Sequence, residues 1–282
     1  VEIGPRGARV SEVKVEISGG VMTLTLADVD NRNALGMALV GGLRDAIAAA
    51  NSDPDIRAVV ITNEGTTFCA GANLKERSAA NKASAEKAKA DGGAKKRESG
   101  SGLGGFETLL YEIQSSPTPI IGKIKGHCVG GGNGLAAALD ISIAVEDVKF
   151  GFTEVRLGVA PAIISVVCLP KMRPGDAMEA FLRGNRFSGK RAAELGLINR
   201  AVPADQIDDE VEAILADLRK GGPNALGFCK RLVNEVPAME QKEAFAWTAQ
   251  LSGQLFKGEE AAEGMKAFLQ KRKPAWIEAQ ED

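Results

Sequence analysis

The chain has 282 residues, 44% of them hydrophobic and 26% charged, an ordinary globular composition with enough length to bury a sizeable core. Its 35 basic and 37 acidic residues leave a net charge of −2, which argues against a protein organised around nucleic acid. The single histidine, His127, would have to serve alone in any histidine triad or metal site, so neither is expected. Cys69, Cys128, Cys168 and Cys229 show no CxxC and no framework spacing, which predicts reduced thiols and a cytoplasmic protein. The first nine residues hold no apolar signal core, and no run approaches the roughly 18 apolar residues of a membrane span, so no membrane partner is expected.

In chain order, Val13, Val15 and Ile17 alternate with polar residues, Gly19-Gly20 follows, and Val21 to Leu26 reads as the second strand of a hairpin. Ala34 to Ala50 carries Leu39, Leu43, Ile47 and Ala50 at helical spacing. After Asp53-Pro54, the continuous apolar run Ala58 to Thr62 predicts a strand of a parallel sheet covered on both faces. Arg77 to Gly105 is rich in Lys, Ala, Ser and Gly and almost free of large apolar residues. It reads as a polar insertion, helical over Ala79 to Ala90 and mobile over Gly92 to Gly105: a solvated surface segment, or alternatively a lid.

Order returns at Phe106, with Leu109, Leu110 and Ile113 on one helical face. Ile120 to Ile124 reads as a strand, Gly126 to Gly134 as a glycine-rich turn, Leu135 to Leu139 as the opening of a helix, and Ile141 to Val145 as the next buried strand. Alternation of strand and helix predicts the α/β class. Beyond Pro170 the pattern is helical, over Gly189 to Leu195, Asp205 to Lys220, Asn224 to Asn234, Gln241 to Leu255 and Glu259 to Arg272.

The turn Gly126-His-Cys-Val-Gly-Gly-Gly-Asn-Gly134 is neither GxGxxG nor a Walker A loop. Without Cβ atoms it lets a ligand approach the backbone, and a helix N-terminus behind it favours an anionic oxygen. A second turn, Phe68-Cys-Ala-Gly-Ala-Asn-Leu74, also follows a strand. Two such turns could aim one amide each at the same oxygen and so form an oxyanion hole from backbone alone.

Three stretches, Phe68 to Lys75 (FCAGANLK), Gly126 to Asp140 (GHCVGGGNGLAAALD) and Phe150 to Gly158 (FGFTEVRLG), resemble the crotonase superfamily of enoyl-CoA hydratases and isomerases. Asn33-Ala34-Leu35, Ala192 to Asn199 and Gly264 to Pro274 match further motifs in order, and the likeness runs from about Val13 to Trp276. Within the family, Val155 to Ser165 looks closest to methylglutaconyl-CoA hydratase-like members. The resemblance implies an α/β fold of ββα turns in a spiral over residues 1–200, with the 77–105 segment as an insertion, and a helical assembly region over 201–282. It implies homotrimers, often paired as hexamers, and acyl-CoA thioester substrates. It also implies no metal and no cofactor other than the coenzyme A that is part of the substrate. By motif match the amides of Ala70 and Gly131 hold the thioester oxygen. Ala34, Leu35, Ala72, Asn73 and Leu74 lie along the CoA, and Phe268 and Lys271 match positions that approach the CoA of a neighbouring subunit. Asn73 stands where the family usually has Asp.

A hydratase of this family carries two glutamates. One matches Glu154; at the other this chain has Gly134. A thioester α-carbon is weakly acidic, so two preorganised donors must stabilise the enolate while a positioned carboxylate moves the proton. Glu154 alone suffices for proton shuttling between carbons, whereas addition of water normally uses both carboxylates. The expected activity is therefore that of an enoyl-CoA hydratase/isomerase-type enzyme with Glu154 as acid/base. The alternative is an acyl-CoA-binding homologue with weak or no hydratase activity because of Gly134. His127, Asp140 and the cysteines are read as structural, and nucleic-acid binding through Lys82 to Arg97 is opposed by the interspersed acids.

Overall fold

The computed structural model describes residues 9–10, 12–90 and 105–278. The chain opens with β1 (Arg9–Val10), β2 (Val13–Ser18) and β3 (Val21–Leu26), then α1 (Met37–Ser52), β4 (Ala58–Asn63), β5 (Thr67–Cys69), α2 (Leu74–Ala90) and α3 (Phe106–Ser115). It continues through β6 (Ile120–Ile124), β7 (His127–Val129), α4 (Gly131–Ala138), β8 (Ile141–Val145), β9 (Lys149–Gly151), α5 (Ala162–Cys168) and α6 (Pro174–Arg183). β10 (Phe187–Ser188), α7 (Gly189–Glu194) and β11 (Arg200–Val202) precede five helices: α8 (Ile207–Lys220), α9 (Pro223–Glu235), α10 (Gln241–Phe256), α11 (Glu259–Gln270) and α12 (Ala275–Glu278). Among the described residues no helix is long and apolar enough to cross a membrane.

Two sheets share the strands. The larger runs β1-β2-β3-β4-β6-β8-β11 and the smaller β10-β9-β7-β5. The hairpin β2–β3 is antiparallel, as the alternation around Gly19-Gly20 predicts, and every pairing from β3 to β11 is parallel. Three successive units, β4–β5–α2, β6–β7–α4 and β8–β9–α5, each place one strand in each sheet before a helix. This is the repeating turn of the expected spiral. All six residues of β4 are buried, which accounts for its unbroken apolar run.

The main core lies between the two sheets and the helices, with Leu24, Leu39, Leu43, Ile61, Phe68, Phe106, Phe150 and Phe152 fully buried. The opposite face of the large sheet, through Val60, Ile121 and Ile143, is covered by Ile207, Val211 and Leu215 of α8. The large sheet thus takes its last strand from Arg200–Val202 and its cover from the helices beyond. Buried Arg57 ties the far end back: its guanidinium donates to the carbonyls of Gly221 (2.6 Å) and Trp276 (3.1 Å).

Two expectations need revision. The stretch 126–134 is not a single turn. His127–Val129 is a strand, and the helix starts at Gly131 rather than Leu135. The glycines are needed inside this helix because a Cβ on Gly132 would lie 2.5 Å from the Cys69 carbonyl oxygen of β5. Helix α1 begins at Met37, not Ala34, because Arg32 and Asn33 adopt left-handed backbone (φ 56° and 51°). Within the polar insertion, α2 covers the expected helix and starts five residues earlier, at Leu74; the expected mobile stretch Gly92 to Gly105 lies almost wholly outside the described residues.

Candidate active site

The two turns singled out above meet. Gly71 has φ +84°, and a side chain there would reach to 2.9 Å from the amide nitrogen of Gly131 and 3.0 Å from the carbonyl of Val129. Only a glycine at 71 keeps the Gly131 amide uncovered. Gly131 is the first residue of α4, so its N–H has no acceptor within the helix and lies at the positive end of the helix dipole.

The other donor differs from the expected one. The Ala70 amide donates to the carbonyl of Arg32 at 3.1 Å and is therefore spent. Leu35 forms a parallel bridge with Ala72, its N–H donating to the Gly71 carbonyl (2.7 Å) and its carbonyl accepting from Asn73 (3.4 Å). In such a bridge the bridged residue turns its own N–H away from the partner strand. The Ala72 amide consequently has no acceptor among the described residues. Ala70 and Ala72 are two residues apart and would face the same way in a flat strand; the positive φ of Gly71 rotates one against the other.

Both turns border a cavity of about 360 Å³, lined on the donor side by Leu35, Ala70 to Ala72, Gly130 and Gly131, and on the opposite side by Glu154, Leu157 and Val159 to Ile164. Glu154 sits in a short helical turn, Thr153–Leu157, with one carboxylate oxygen 3.6 Å from where a Gly130 side chain would begin. Its Oε2 is buried with no hydrogen-bond partner, and burial holds its carboxyl above the usual carboxylate range, partly offset by a hydrogen bond from its own backbone N–H. The Gly151 carbonyl accepts from the Gly130 amide (2.9 Å) and from Nδ2 of the buried Asn133 (2.7 Å), so the strand leading into the Glu154 turn is tied twice to the glycine run.

Gly134 does not open a gap. It is buried, and a Cβ placed on it would lie 2.6 Å from Cβ of Ile164, inside van der Waals contact. Ile164, on α5, fills the place where a second side chain would point, and it also lines the cavity.

The remaining sequence-derived residues divide by position. Leu35, Ala72 and Leu74 border the cavity. Ala34 is buried beside them. Asn73 caps α2: its side chain accepts from the Glu76 amide (3.3 Å) and donates to the Glu76 carboxylate (3.0 Å), the reciprocal pattern of a capping box, which explains an amide at this position. Phe268 is highly exposed and Lys271 follows the end of α11 in left-handed conformation; neither lines the cavity of its own chain. His127 accepts from the Lys149 amide through Nδ1 (3.0 Å), a structural bond between β7 and β9. Burial raises the thiols of Cys69 (to about 12), Cys128 and Cys168, leaving them inert as nucleophiles. Asn133, Ile164 and Arg77 belong to the site or its support and carried no local signal in the sequence.

The family model for enoyl-CoA hydratase/isomerase matches residues 16–279. The chain belongs to this family. The "Pseudomonas aeruginosa AtuE" structure superposes with a TM-score of 0.84 at 32% identity, covering 95% of this chain and 100% of that one. A "Carnitinyl-CoA dehydratase" of Salmonella enteritidis is 30% identical over 267 residues, 92% of this chain and 95% of its own length. "Enoyl-CoA hydratase EchA19" of Mycobacterium tuberculosis is 29% identical over 275 residues, 97% of each. The crotonase resemblance and its α/β fold therefore hold over nearly the whole chain.

Proposed function

We propose that this family member binds an acyl-CoA thioester with its carbonyl oxygen between the amides of Gly131 and Ala72, and that Glu154 is the only side chain that moves the proton. Gly131 is retained from the sequence reading and Ala72 replaces Ala70, whose amide is occupied by Arg32. Deprotonation at the α-carbon places negative charge on the thioester oxygen. Two fixed N–H donors stabilise that charge, each by about 3 kcal/mol on the scale of other oxyanion holes. Burial keeps the Glu154 carboxyl close in basicity to what a proton shuttle at neutral pH requires.

The observation that selects among the family's reactions is the closure of Gly134 by Ile164. With one carboxylate and an isoleucine in the place of the other, activation of a water lacks its second base. A proton shuttle needs only one. In a 3-enoyl thioester, Glu154 takes a proton from C2, the C3=C4 electron pair shifts to C2=C3 through the dienolate, and the same carboxyl returns a proton to C4. The favoured reaction is thus isomerisation, with hydration weak. The assembly proposed with it is a homotrimer or a pair of trimers, supported by the exposed Phe245, Phe256, Phe268 and Leu269 on α10 and α11.

The test is turnover of trans-3-hexenoyl-CoA and of crotonyl-CoA by wild type and Glu154→Gln. Isomerisation well above hydration, and lost in the variant, is expected. Hydration of crotonyl-CoA as the faster reaction would overturn the reading, and binding of acyl-CoA without turnover of either substrate would favour a binding protein.

A further inference from the structure

Resting on the reading of this cavity as the acyl-thioester site, we infer that Arg77 recognises an anionic group at the far end of the acyl chain, so that the preferred substrate is a dicarboxylic acid joined to CoA through one carboxyl only. Glu154 and Arg77 are the two charged side chains that line the cavity, whose wall is otherwise apolar or backbone apart from Thr153. Arg77 lies on α2, one turn beyond Leu74, and has no hydrogen-bond or ion-pair partner among the described residues, although most other arginines of the chain are paired. It is also electrically remote from the reacting end: Glu154 is set by burial and its own backbone, with no influence from a guanidinium.

A lone arginine facing an apolar chamber is costly for a neutral alkyl chain, which would have to lie against an unpaired guanidinium. For a chain ending in a carboxylate the same side chain offers a planar two-donor fork. Leu74, Leu157 and Val159 would contact the methylenes between the thioester and that carboxylate. The phosphates of CoA are the other anionic groups that could reach Arg77. The acyl end is favoured because Arg77 borders the same chamber as the Gly131 and Ala72 amides and Glu154, where the thioester itself must lie.

Calorimetry with saturated thioesters separates this inference from catalysis, because neither needs turnover. Glutaryl-CoA and pentanoyl-CoA have equal chain length and differ in the terminal carboxylate; free CoA serves as the third probe. Wild type is expected to bind glutaryl-CoA about 10- to 100-fold more tightly than pentanoyl-CoA, the range of one charge-assisted contact. Arg77→Gln should bring that ratio to about one and Arg77→Lys should leave it intermediate. Equal affinity of wild type for the two thioesters overturns the inference. So does a fall in free CoA affinity in Arg77→Gln as large as the fall for glutaryl-CoA, which would assign Arg77 to a phosphate. Failure of wild type to bind either thioester instead overturns the acyl-CoA reading itself.

Discussion

Ile164 lies against Gly134 so closely that any side chain on the glycine would start inside it, 2.6 Å from its Cβ. Adding the family's glutamate by a single substitution therefore cannot work. Gly134→Glu is expected to lose about 1–3 kcal/mol of stability through overpacking and to gain no hydration of crotonyl-CoA. Ile164→Ala alone should lose about 2–5 kcal/mol by leaving a cavity. The double variant should recover part of both losses and show more hydration than either single change. Chemical denaturation and an absorbance assay of the enoyl thioester measure the two effects.

Glu154 gives two readouts. As the sole proton carrier, its replacement by Gln should lower isomerisation by about 10²- to 10⁴-fold. The acid limb of the kcat/KM profile should lie above the ordinary carboxylate range, because burial favours the neutral form. The stability sign follows from the same shift. The folded state holds this proton more tightly than the unfolded chain, so the contribution of the group falls as pH rises from the unfolded pKa through the folded one. Glu154→Gln should therefore raise the melting temperature relative to wild type at pH 7.5 and lose that advantage near pH 4.

Gly71→Ala tests the donor pair without touching the base. The new methyl would sit 2.9 Å from the Gly131 nitrogen, on a backbone of φ +84°. Loss of kcat/KM larger than that of Ala70→Gly is expected, since the Ala70 amide is already engaged. Equal effects from the two changes would return Ala70 to the site.

Much of the scaffold was legible because its signals are local. The hairpin, β4, β6 and β8 follow from alternation or unbroken apolar runs, and the helices beyond α7 from their 3.6-residue period. The second sheet was not legible. Its strands β5, β7 and β9 are three residues long, too short to show a period, and the glycine run of α4 has the composition of a turn. Within the site, Glu154 and Gly131 were readable from motif. The choice between Ala70 and Ala72 was not, because it depends on which carbonyl Arg32 and Leu35 present from more than thirty residues away. Nor does any local pattern tell that Ile164 closes on Gly134.

Asn133→Leu should separate support from chemistry. The buried side chain donates to Gly151 at 2.7 Å, and its removal should cost about 1–3 kcal/mol of stability. It should also lower kcat more than it changes KM, because the strand it holds leads to Glu154 and not to the CoA-facing residues. A change confined to KM would dissociate Asn133 from positioning the base.

Asp140 and Lys230 form a partly buried ion pair at 2.7 Å between the start of β8 and α9, and Lys230 also reaches the carbonyls of Ile113 and Thr118. Lys230→Met leaves Asp140 in place without this partner and should cost about 3 kcal/mol in a denaturation experiment, the lower end for breaking such a pair.

The bridge between Leu35 and Ala72 carries one more consequence. A donor made of backbone has no side chain to lose, so no single substitution at Ala72 itself deletes it, proline excepted. What could silence it is a slip: moving the 32–35 segment by one residue would cover this N–H and expose a different one. The reaction's most exacting group is thus written nowhere in the identity of residue 72. It is stored in an alignment of two segments, held by the left-handed pair Arg32-Asn33 and by the Asn33 side chain donating to Thr67 at 2.7 Å. Mutations that quietly disarm this protein should therefore be sought at Asn33, outside the lining of the chamber.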